Sequence, residues 1–401
     1  MEPFFGLPRE VIFCKRCVIS NQRPNSTVEF KHSTNRHGAK YTGFDSHGIC
    51  DACLVADEKD SINWSHREEE LLKLLNNYRG KTKPYDCVIP GSGGKDSFFT
   101  SHILKEKYGM SPLLVTWQPI SYTKYGLQQY FKWVEMVGAD SVSFRPNPIT
   151  MKKLTRLSFF NLLHPFQTFI LGQKNLAPKI ALKYGIDLIF YGESPAEYGN
   201  GIAEFNNSAM DPNYYSLDSY DDVKLGGVGL QELINVYDLK ITDLEAFLPI
   251  LKKNVAHEKL QYLYLSHYIK WDPQENYYYS VKNGSFMPRP MASNGTYTRY
   301  SSFDDKIDDL HYFTTHVKFG IGRTTYDASQ EIRNGHITRQ DAVNLVQQFD
   351  GNIPTSYFTE ILEYLDISQD DFFSTCDKFR SPHLWDTSDQ ESPKLKHAVW
   401  L

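Results

Sequence analysis

Short apolar runs alternate with longer amphipathic stretches through the first half of the chain. The runs have the length of buried strands, and they cover residues 85–89, 112–117, 141–144 and 185–193. The stretches between them have the apolar spacing of helices, and they cover residues 97–107, 122–137 and 151–184. Strands that alternate with helices predict an α/β fold, a Rossmann-like parallel sheet with helices on both faces.

The last third of the chain has a helical pattern. Ser302 and Thr338 have the residue type of helix N-caps, and apolar residues follow them at helical spacing. They predict helices over residues 302–317 and 338–349. A helix–turn–helix over residues 326–349 is an alternative, but no basic stripe accompanies it, so helix packing is favoured.

The length of 401 residues allows two or three domains. The change of pattern along the chain suggests three parts. Residues 1–62 contain paired cysteines, residues 63–250 contain the alternating strands and helices, and residues 251–401 form a mainly helical C-terminal region.

Charge and hydropathy limit the possible partners and compartment. The net charge is -5, which argues against a broad basic surface, so we expect no nucleic-acid partner. The N-terminus lacks the pattern of a secretory signal, and no apolar run approaches the ~18 residues of a membrane span. We therefore expect a cytoplasmic protein without a membrane span.

Four of the six cysteines form two Cys-x-x-Cys pairs, Cys14 with Cys17 and Cys50 with Cys53. Two such pairs can close a tetrahedral shell, which predicts a structural zinc site. Redox pairs and an iron–sulfur cluster remain alternatives. The linking loop also contains three histidines that could compete as ligands, namely His32, His37 and His47. The two remaining cysteines, Cys87 and Cys376, are expected to be buried small residues.

A glycine-rich turn joins the first apolar run to the helix that follows it. Its residues are Pro90, Gly91, Ser92, Gly93, Gly94, Lys95, Asp96 and Ser97. Glycine lets the backbone approach an anion closely, and the following helix directs N–H groups and the positive end of its dipole at the same point. Lys95 adds a full positive charge. We predict that this turn binds the phosphates of a nucleotide.

The turn differs from a Walker A loop, because Asp96 stands after Lys95 where a Ser or Thr would bind Mg²⁺. Thr116 and Gly192 lie at the ends of two other predicted strands. Ligands of parallel sheets bind beyond the carboxyl ends of the strands. We therefore expect Thr116 and Gly192 to border the same nucleotide.

The run Ser92-Gly-Gly-Lys-Asp-Ser97 resembles the pyrophosphate loop of the PP-loop ATPases, which split ATP between the α and β phosphates. Nearly the whole chain resembles the N-acetyl sugar amidotransferase family, ATP-dependent enzymes associated with O-antigen and surface-glycan sugars. Besides that loop, the motifs that carry the resemblance are Cys14-x-x-Cys17-Val-Ile, Gly48-Ile-Cys-Asp-Ala-Cys53, Tyr191-Gly-Glu-Ser-Pro-Ala-Glu-Tyr-Gly199, Tyr268-Ile-Lys-Trp-Asp272, Lys318-Phe-Gly-Ile-Gly-Arg323 and Glu331-Ile-Arg-Asn-Gly335.

The resemblance implies a reaction in which ATP adenylates the acetamido oxygen of a nucleotide-linked N-acetyl sugar. Ammonia then displaces AMP and leaves an acetamidino group. ATP use in turn implies Mg²⁺. Ammonia would come from a separate glutaminase subunit, since the chain has no Gly-x-Cys-x-Gly-like nucleophile motif. A channel-forming partner that resembles the histidine-pathway cyclase would fit the same scheme.

The resemblance also suggests residue roles. Lys95 would neutralise charge, and Asp96 would bind Mg²⁺ or order the loop. Glu193 and Glu197 would accept the ammonium proton or bind sugar hydroxyls, although two solvated carboxylates are an alternative. Tyr198 would contact the substrate, and Arg323 would bind the diphosphate of the sugar nucleotide unless it is an ordinary surface arginine.

A tRNA-modifying, thiolating PP-loop enzyme is the main alternative function, because several such enzymes also carry Cys-x-x-Cys metal modules. An enzyme of this kind should have a basic surface for RNA and a cysteine pair near its active site. The acidic balance of the chain, together with the two spare cysteines, favours the sugar amidotransferase.

Overall fold

The computed structural model describes residues 2–26, 28–32, 40–80, 83–254, 259–284, 286–389 and 392–401, without the side chains of residues 202 and 203. Its strands, in chain order, are β1 Cys87–Pro90, β2 Pro112–Trp117, β3 Ser141–Phe144, β4 Leu188–Tyr191, β5 Ser216–Leu217, β6 Lys224–Leu225, β7 Val228–Gly229, β8 Ile250–Leu251, β9 Gln261–Tyr264, β10 Trp385–Asp386 and β11 Lys394–Leu395.

The α-helices of the described residues, in chain order, are α1 Asp51–Ser61, α2 Trp64–Asn76, α3 Lys95–Glu106, α4 Lys124–Val137, α5 Pro148–Leu162, α6 Gln167–Tyr184, α7 Ile202–Phe205, α8 Leu230–Asn235, α9 Ile241–Leu244, α10 Pro273–Lys282, α11 Asp308–Phe319, α12 Arg323–Arg333, α13 Arg339–Phe349, α14 Phe358–Leu365 and α15 Gln369–Lys378. None of the described helices combines the length and apolarity needed to cross a bilayer.

Five strands form a parallel sheet in the order β3-β2-β1-β4-β9. The chain adds strands on one side of β1 and then returns to its other side with β4. This reversal makes the carboxyl ends of β1 and β4 the topological switch point, where ligands of such sheets bind. The glycine-rich turn follows β1 and therefore lies at this point.

The sheet is buried on both faces. Val88 of β1 belongs to one apolar cluster, whereas Cys87 and Ile89 belong to the cluster on the other face. This arrangement explains why β1 is a continuous apolar run rather than an alternating one. On one face α6 packs closely on β2, since a Cβ atom at Gly172 would lie 2.1 Å from the Trp117 ring.

The predicted fold class is confirmed: the chain is α/β with a Rossmann-like parallel sheet, a four-cysteine cluster near its N-terminus and many helices in its last third. Strands β2 and β3 have the predicted bounds. The sheet continues past residue 250, the predicted limit of its domain, because β9 pairs with β4.

Two helix predictions need correction. The predicted helix over residues 151–184 is two helices, α5 and α6, because Leu163 adopts a left-handed conformation with φ 43° and ends α5. The predicted N-cap Ser302 also has a positive φ, and α11 begins only at Asp308. Thr338 does cap α13, in a capping box with Asp341.

Candidate active site

The glycine-rich turn is attached to the neighbouring strand β2 at its start. The Gly91 N–H donates to the Val115 carbonyl at 3.0 Å, and the Thr116 hydroxyl donates to the Gly91 carbonyl at 2.7 Å. Thr116 is 1% exposed. Thr116 therefore attaches the turn to β2. That Thr116 also contacts a nucleotide is still a prediction.

Two glycines in the turn have a steric reason to be glycine. A Cβ at Gly91 would lie 2.3 Å from the Cβ of Ser97, and Gly93 has a φ of 89° with Gln129 and Tyr130 of α4 against it. A side chain at either position would push the turn away from the sheet. The turn is therefore a tight backbone cradle of the kind that approaches phosphate groups.

Helix α3 begins at the end of this cradle. Ser97 closes its first turn, since its hydroxyl accepts from the Gly93 N–H at 3.2 Å and donates to the Gly94 carbonyl at 3.0 Å. The first N–H groups of a helix have no partner within the helix and point away from its start. Together with the helix dipole they form an anion site.

Lys95 and Asp96 are fixed by a helix from the C-terminal region. The Lys95 ammonium forms an ion pair with Asp96, and the Asn276 amide donates to the other oxygen of that carboxylate at 3.2 Å. One turn further along α10, the Ser280 hydroxyl donates to the Lys95 carbonyl at 3.0 Å. The orientation of Asp96 thus depends on α10, a dependence that no local sequence pattern indicates.

Glu193 lies two residues beyond β4, next to the same two charges. Burial and the Asp96 carboxylate raise its pKa to about 7, although the charge of Lys95 acts in the opposite direction. The Tyr198 hydroxyl donates to Glu193 Oε1 at 3.1 Å. A carboxyl group with a pKa near neutrality can accept or donate a proton under physiological conditions.

Two cavities meet at Asp96 and Glu193. The smaller, about 170 Å³ in volume, lies over the glycine-rich turn. It is lined by Pro90, Gly91, Ser92, Gly94, Asp96, Ser97, Thr100, Gln173, Tyr191, Gly192 and Glu193. The larger, about 470 Å³, also borders Asp96 and Glu193 and is lined further by Tyr198 and Arg323. A group bound over the turn and a molecule in the larger cavity would therefore come together at these two carboxyl groups.

The larger cavity has cationic side chains in its wall. Arg323 begins α12, where its Nε contacts Asp327 Oδ1 at 3.0 Å and its Nη1 donates to the Tyr312 hydroxyl at 2.5 Å. Arg23 is 5% exposed, and its Nε has no hydrogen-bond partner among the described residues. A buried guanidinium with a free donor favours an anionic ligand.

Glu197 lies outside both cavities. Its carboxylate forms a buried ion pair with Lys59 of α1, at 2.9 Å, and the same ammonium donates to the Trp271 carbonyl at 2.8 Å. Lys59 thereby links α1 both to Glu197, in the segment after β4, and to the segment after β9. Its predicted contact with substrate would require this ion pair to open.

The four cysteines of the two pairs form one buried cluster. The sulfurs of Cys14 and Cys53 are 3.9 Å apart, and those of Cys17 and Cys50 are 3.6 Å apart. Four thiolates around a zinc ion, each at about 2.3 Å, would lie roughly 3.8 Å from one another. An iron–sulfur cluster with four irons spreads its cysteines over different metal atoms, so the observed spacing fits a single four-coordinate ion better.

The two described histidines of the linking loop do not join this cluster. His47 is exposed on the surface, and His37 lies outside the described residues. His32 borders the larger cavity instead, together with Arg23 and Glu29 of the same loop. The loop between the cysteine pairs therefore supplies a wall of the cavity.

Several residues of the site escaped the sequence analysis. Arg23, Asn276, Tyr312 and Asp327 belong to segments far from the glycine-rich turn, and none forms a motif with its neighbours. Arg23 follows the first cysteine pair by only a few residues. This proximity to the predicted metal module was the one feature of the sequence that could have singled Arg23 out. Tyr312 and Asp327 flank Arg323, which was predicted.

One family model matches the last third of the chain. Residues 294–398 match the model described as "LPS biosynthesis protein WbpG-like, C-terminal domain". This segment contains Tyr312, Arg323 and Asp327, and thus one wall of the larger cavity. The glycine-rich turn and the cysteine cluster lie outside it.

A curated relative matches a shorter stretch. The uncharacterized protein MJ1599 of Methanocaldococcus jannaschii is 33% identical over 76 residues, which are 19% of this chain. The match spans only 27% of that relative's own length. It therefore gives no information on the rest of either protein.

Two solved structures show a distant likeness. NMN synthetase from Francisella tularensis is 11% identical with a TM-score of 0.33, over 77% of this chain and 98% of its own. The U34-tRNA thiolase NcsA from Methanococcus maripaludis, solved with its [4Fe-4S] cluster, is 12% identical with a TM-score of 0.25, over 75% of this chain and 86% of its own. Both scores lie below 0.5, so neither likeness establishes a shared activity.

The steric role of Gly91 leads to a direct prediction. Gly91→Ala should weaken ATP binding by more than about tenfold, because the new Cβ would displace the first turn of α3 from its phosphate position. Isothermal titration of ATP measures the effect. Gly201→Ala is the matched control, since no atom of the described residues beyond its chain neighbours lies within 4 Å of a Cβ there. Equal ATP affinity of the two variants would contradict this account of the cradle.

Proposed function

We propose that the chain is an ATP-dependent amidotransferase that acts on a nucleotide-linked N-acetyl sugar. The observation that carries this proposal is the meeting of the two cavities at Asp96 and Glu193. ATP bound with its phosphates over the glycine-rich turn would present the α-phosphate to a molecule in the larger cavity. Transfer of the adenylyl group to that molecule requires this arrangement.

The proposed reaction has two steps. The acetamido oxygen of the sugar attacks the α-phosphorus of ATP, the bond between the α-phosphorus and the bridging oxygen breaks, and pyrophosphate leaves. Ammonia then adds to the activated carbon, the carbon–oxygen bond breaks, and AMP departs with the former acetamido oxygen. Adenylation thereby turns the acetamido oxygen, a poor leaving group by itself, into part of AMP, which is a good leaving group.

The residues of the junction have matching tasks. Lys95 and the N-terminus of α3 would stabilise the charge that develops on the leaving pyrophosphate. Glu193, whose pKa is raised to about 7, would accept the proton that the attacking ammonia loses. Asp96 is the carboxylate that would hold Mg²⁺, which supplies further charge neutralisation when bound with ATP.

The acceptor assignment is supported by the larger cavity and by the family match. Its volume of about 470 Å³ lies within the range of small-molecule sites. Arg23 and Arg323 are suitable partners for the diphosphate of a sugar nucleotide. The match of residues 294–398 to a lipopolysaccharide biosynthesis family favours a sugar as the acceptor. We propose the cytoplasm, where ATP is made available, as the site of reaction.

We further propose that the four-cysteine cluster holds a structural zinc ion. All four thiols are buried, with 0% exposure, which leaves no open position for a catalytic water. The ion would fix both ends of the loop that contributes Arg23 to the cavity. Ammonia would come from a separate glutaminase, with or without a channel subunit.

The two thiols outside the four-cysteine cluster do not favour thiolation of tRNA as the function. Cys87 and Cys376 are both 0% exposed. Burial raises the pKa of the Cys376 thiol to about 12 and that of Cys87 still further. Neither thiol would be available as a thiolate to relay sulfur at neutral pH.

Incubation of the protein with ATP, Mg²⁺, ammonium and UDP-linked N-acetyl sugars tests the proposal. We expect AMP and pyrophosphate, with a sugar product about 1 Da lighter because NH replaces oxygen. Mass spectrometry of nucleotides and sugars measures both products. ADP as the nucleotide product, or AMP formation that depends on tRNA and not on the sugar, would refute the proposed function.

The raised pKa of Glu193 predicts a pH dependence. As a base Glu193 works in its ionised form, so the rate per free ammonia should rise with pH up to a plateau above about 7. Glu193→Gln should remove this limb of the profile and lower kcat by about 10²-fold or more. The profile is measured with ammonium concentrations adjusted to constant free ammonia.

Glu275→Gln is the control for this experiment, because Glu275 is an exposed glutamate of α10. This variant should keep the wild-type rate and the rise of that rate with pH. A Glu193→Gln variant with an unchanged pH profile would exclude Glu193 as the base.

A further inference from the structure

A cluster of three potential metal ligands lies in the wall of the larger cavity, apart from the cysteines and the glycine-rich turn. Its members are Glu29, His32 and His164, whose ligand atoms all lie within 4.8 Å of one another. Glu29 Oε2 is 3.4 Å from His32 Nδ1 and 3.3 Å from His164 Nε2. The three side chains converge although they come from two distant segments of the chain.

The cluster is buried but its polar atoms are not satisfied. The side chains of His32, Glu29 and His164 are 7%, 11% and 10% exposed. Glu29 Oε2 contacts both rings, but among the described residues neither it nor the ring nitrogens of His32 form a hydrogen bond of good geometry. Leaving such groups buried without well-formed hydrogen bonds is unfavourable. A metal ion bound between these side chains would give their nitrogen and oxygen atoms a partner.

The two histidines would supply imidazole nitrogens as ligands. A neutral imidazole offers the lone pair that a metal ion needs. The ring of His311 in α11 lies against that of His164, with ring centroids 4.9 Å apart and the two planes tilted by 32°.

The charges around the cluster indicate what else would bind there. Glu29 is the single carboxylate of the group. Lys174 is close enough to influence Glu29 electrostatically, and Lys318 is close enough to influence His32. A dication in these surroundings would leave excess positive charge. An anionic oxygen ligand from the cavity would neutralise it.

We propose that Glu29, His32 and His164 hold one divalent transition-metal ion of the zinc type, with an open position that takes an anionic oxygen ligand such as phosphate from the cavity. Two imidazoles and a carboxylate form a set that binds zinc while leaving a fourth position free. Mg²⁺ and Ca²⁺ prefer sites made of oxygen alone. The site does not depend on the reaction proposed above.

Cobalt titration of the full-length, untagged protein tests the proposal. Treatment with EDTA removes weakly held ions, after which Co²⁺ is added and the absorption spectrum is recorded. We expect one equivalent of Co²⁺ to bind with d–d bands and without the near-ultraviolet charge-transfer band of cobalt thiolates. Inorganic phosphate should shift those d–d bands, because it occupies the open position.

His32→Ala and His164→Ala should abolish this equivalent, and Glu29→Gln, which keeps the shape of the side chain, should weaken it by more than about tenfold. His47→Ala is the control, since His47 is an exposed histidine of the same loop and should leave the titration unchanged. Near-ultraviolet circular dichroism shows whether each variant is folded. If a histidine variant misfolds, the Co²⁺ titration of Glu29→Gln tests the site instead.

Four results would overturn the proposal. The wild-type protein could take up no stoichiometric Co²⁺, or its spectrum could carry the thiolate band, which would assign the ion to the cysteines. Correctly folded variants could titrate like the wild type. Bands that do not respond to phosphate would contradict the open position.

Discussion

Two partly buried carboxyl groups, Asp96 and Glu193, lie next to the single ammonium group of Lys95, and the rest of the site is arranged around these three charges. Lys95 pairs with Asp96, whereas burial and the Asp96 carboxylate raise the pKa of Glu193 to about 7. In the proposed reaction Asp96 would hold Mg²⁺ and Glu193 would accept a proton. The topology of the sheet brings these two residues together, because the carboxyl ends of β1 and β4 meet where the strand order reverses.

The N-terminal cysteine module takes part in the same site. Its linking loop, which is held at both ends by the cysteine pairs, contributes Arg23, Glu29 and His32 to the wall of the larger cavity. A buried ion pair between Lys59 and Glu197 fastens the helix after the second pair to the region after β4. The module therefore shapes one wall of the larger cavity.

The sequence was sufficient for the parts of the fold that local chemistry determines. Strands β2 and β3 were predicted to the residue because apolar runs and turn residues define them, and the cysteine pairs revealed their cluster through spacing alone. Ser302 was mistaken for a helix cap because its residue type fits, whereas in the structure it has a positive φ and α11 begins six residues later, at Asp308. Arg23, Asn276 and Glu29 could not be predicted, since they become neighbours of the turn or the cavity only through contacts between distant segments. The roles of the predicted site residues are still predictions.

The fate of the acetamido oxygen shows whether the acetamido group is adenylated. An N-acetyl sugar nucleotide labelled with ¹⁸O in its acetamido carbonyl would be incubated with the protein, ATP, Mg²⁺ and ammonium, and the AMP examined by mass spectrometry. Adenylation predicts AMP about 2 Da heavier than unlabelled AMP, because the sugar oxygen leaves bonded to the α-phosphorus. Unlabelled AMP, with the ¹⁸O retained in the sugar or released to water, would contradict adenylation of the acetamido group.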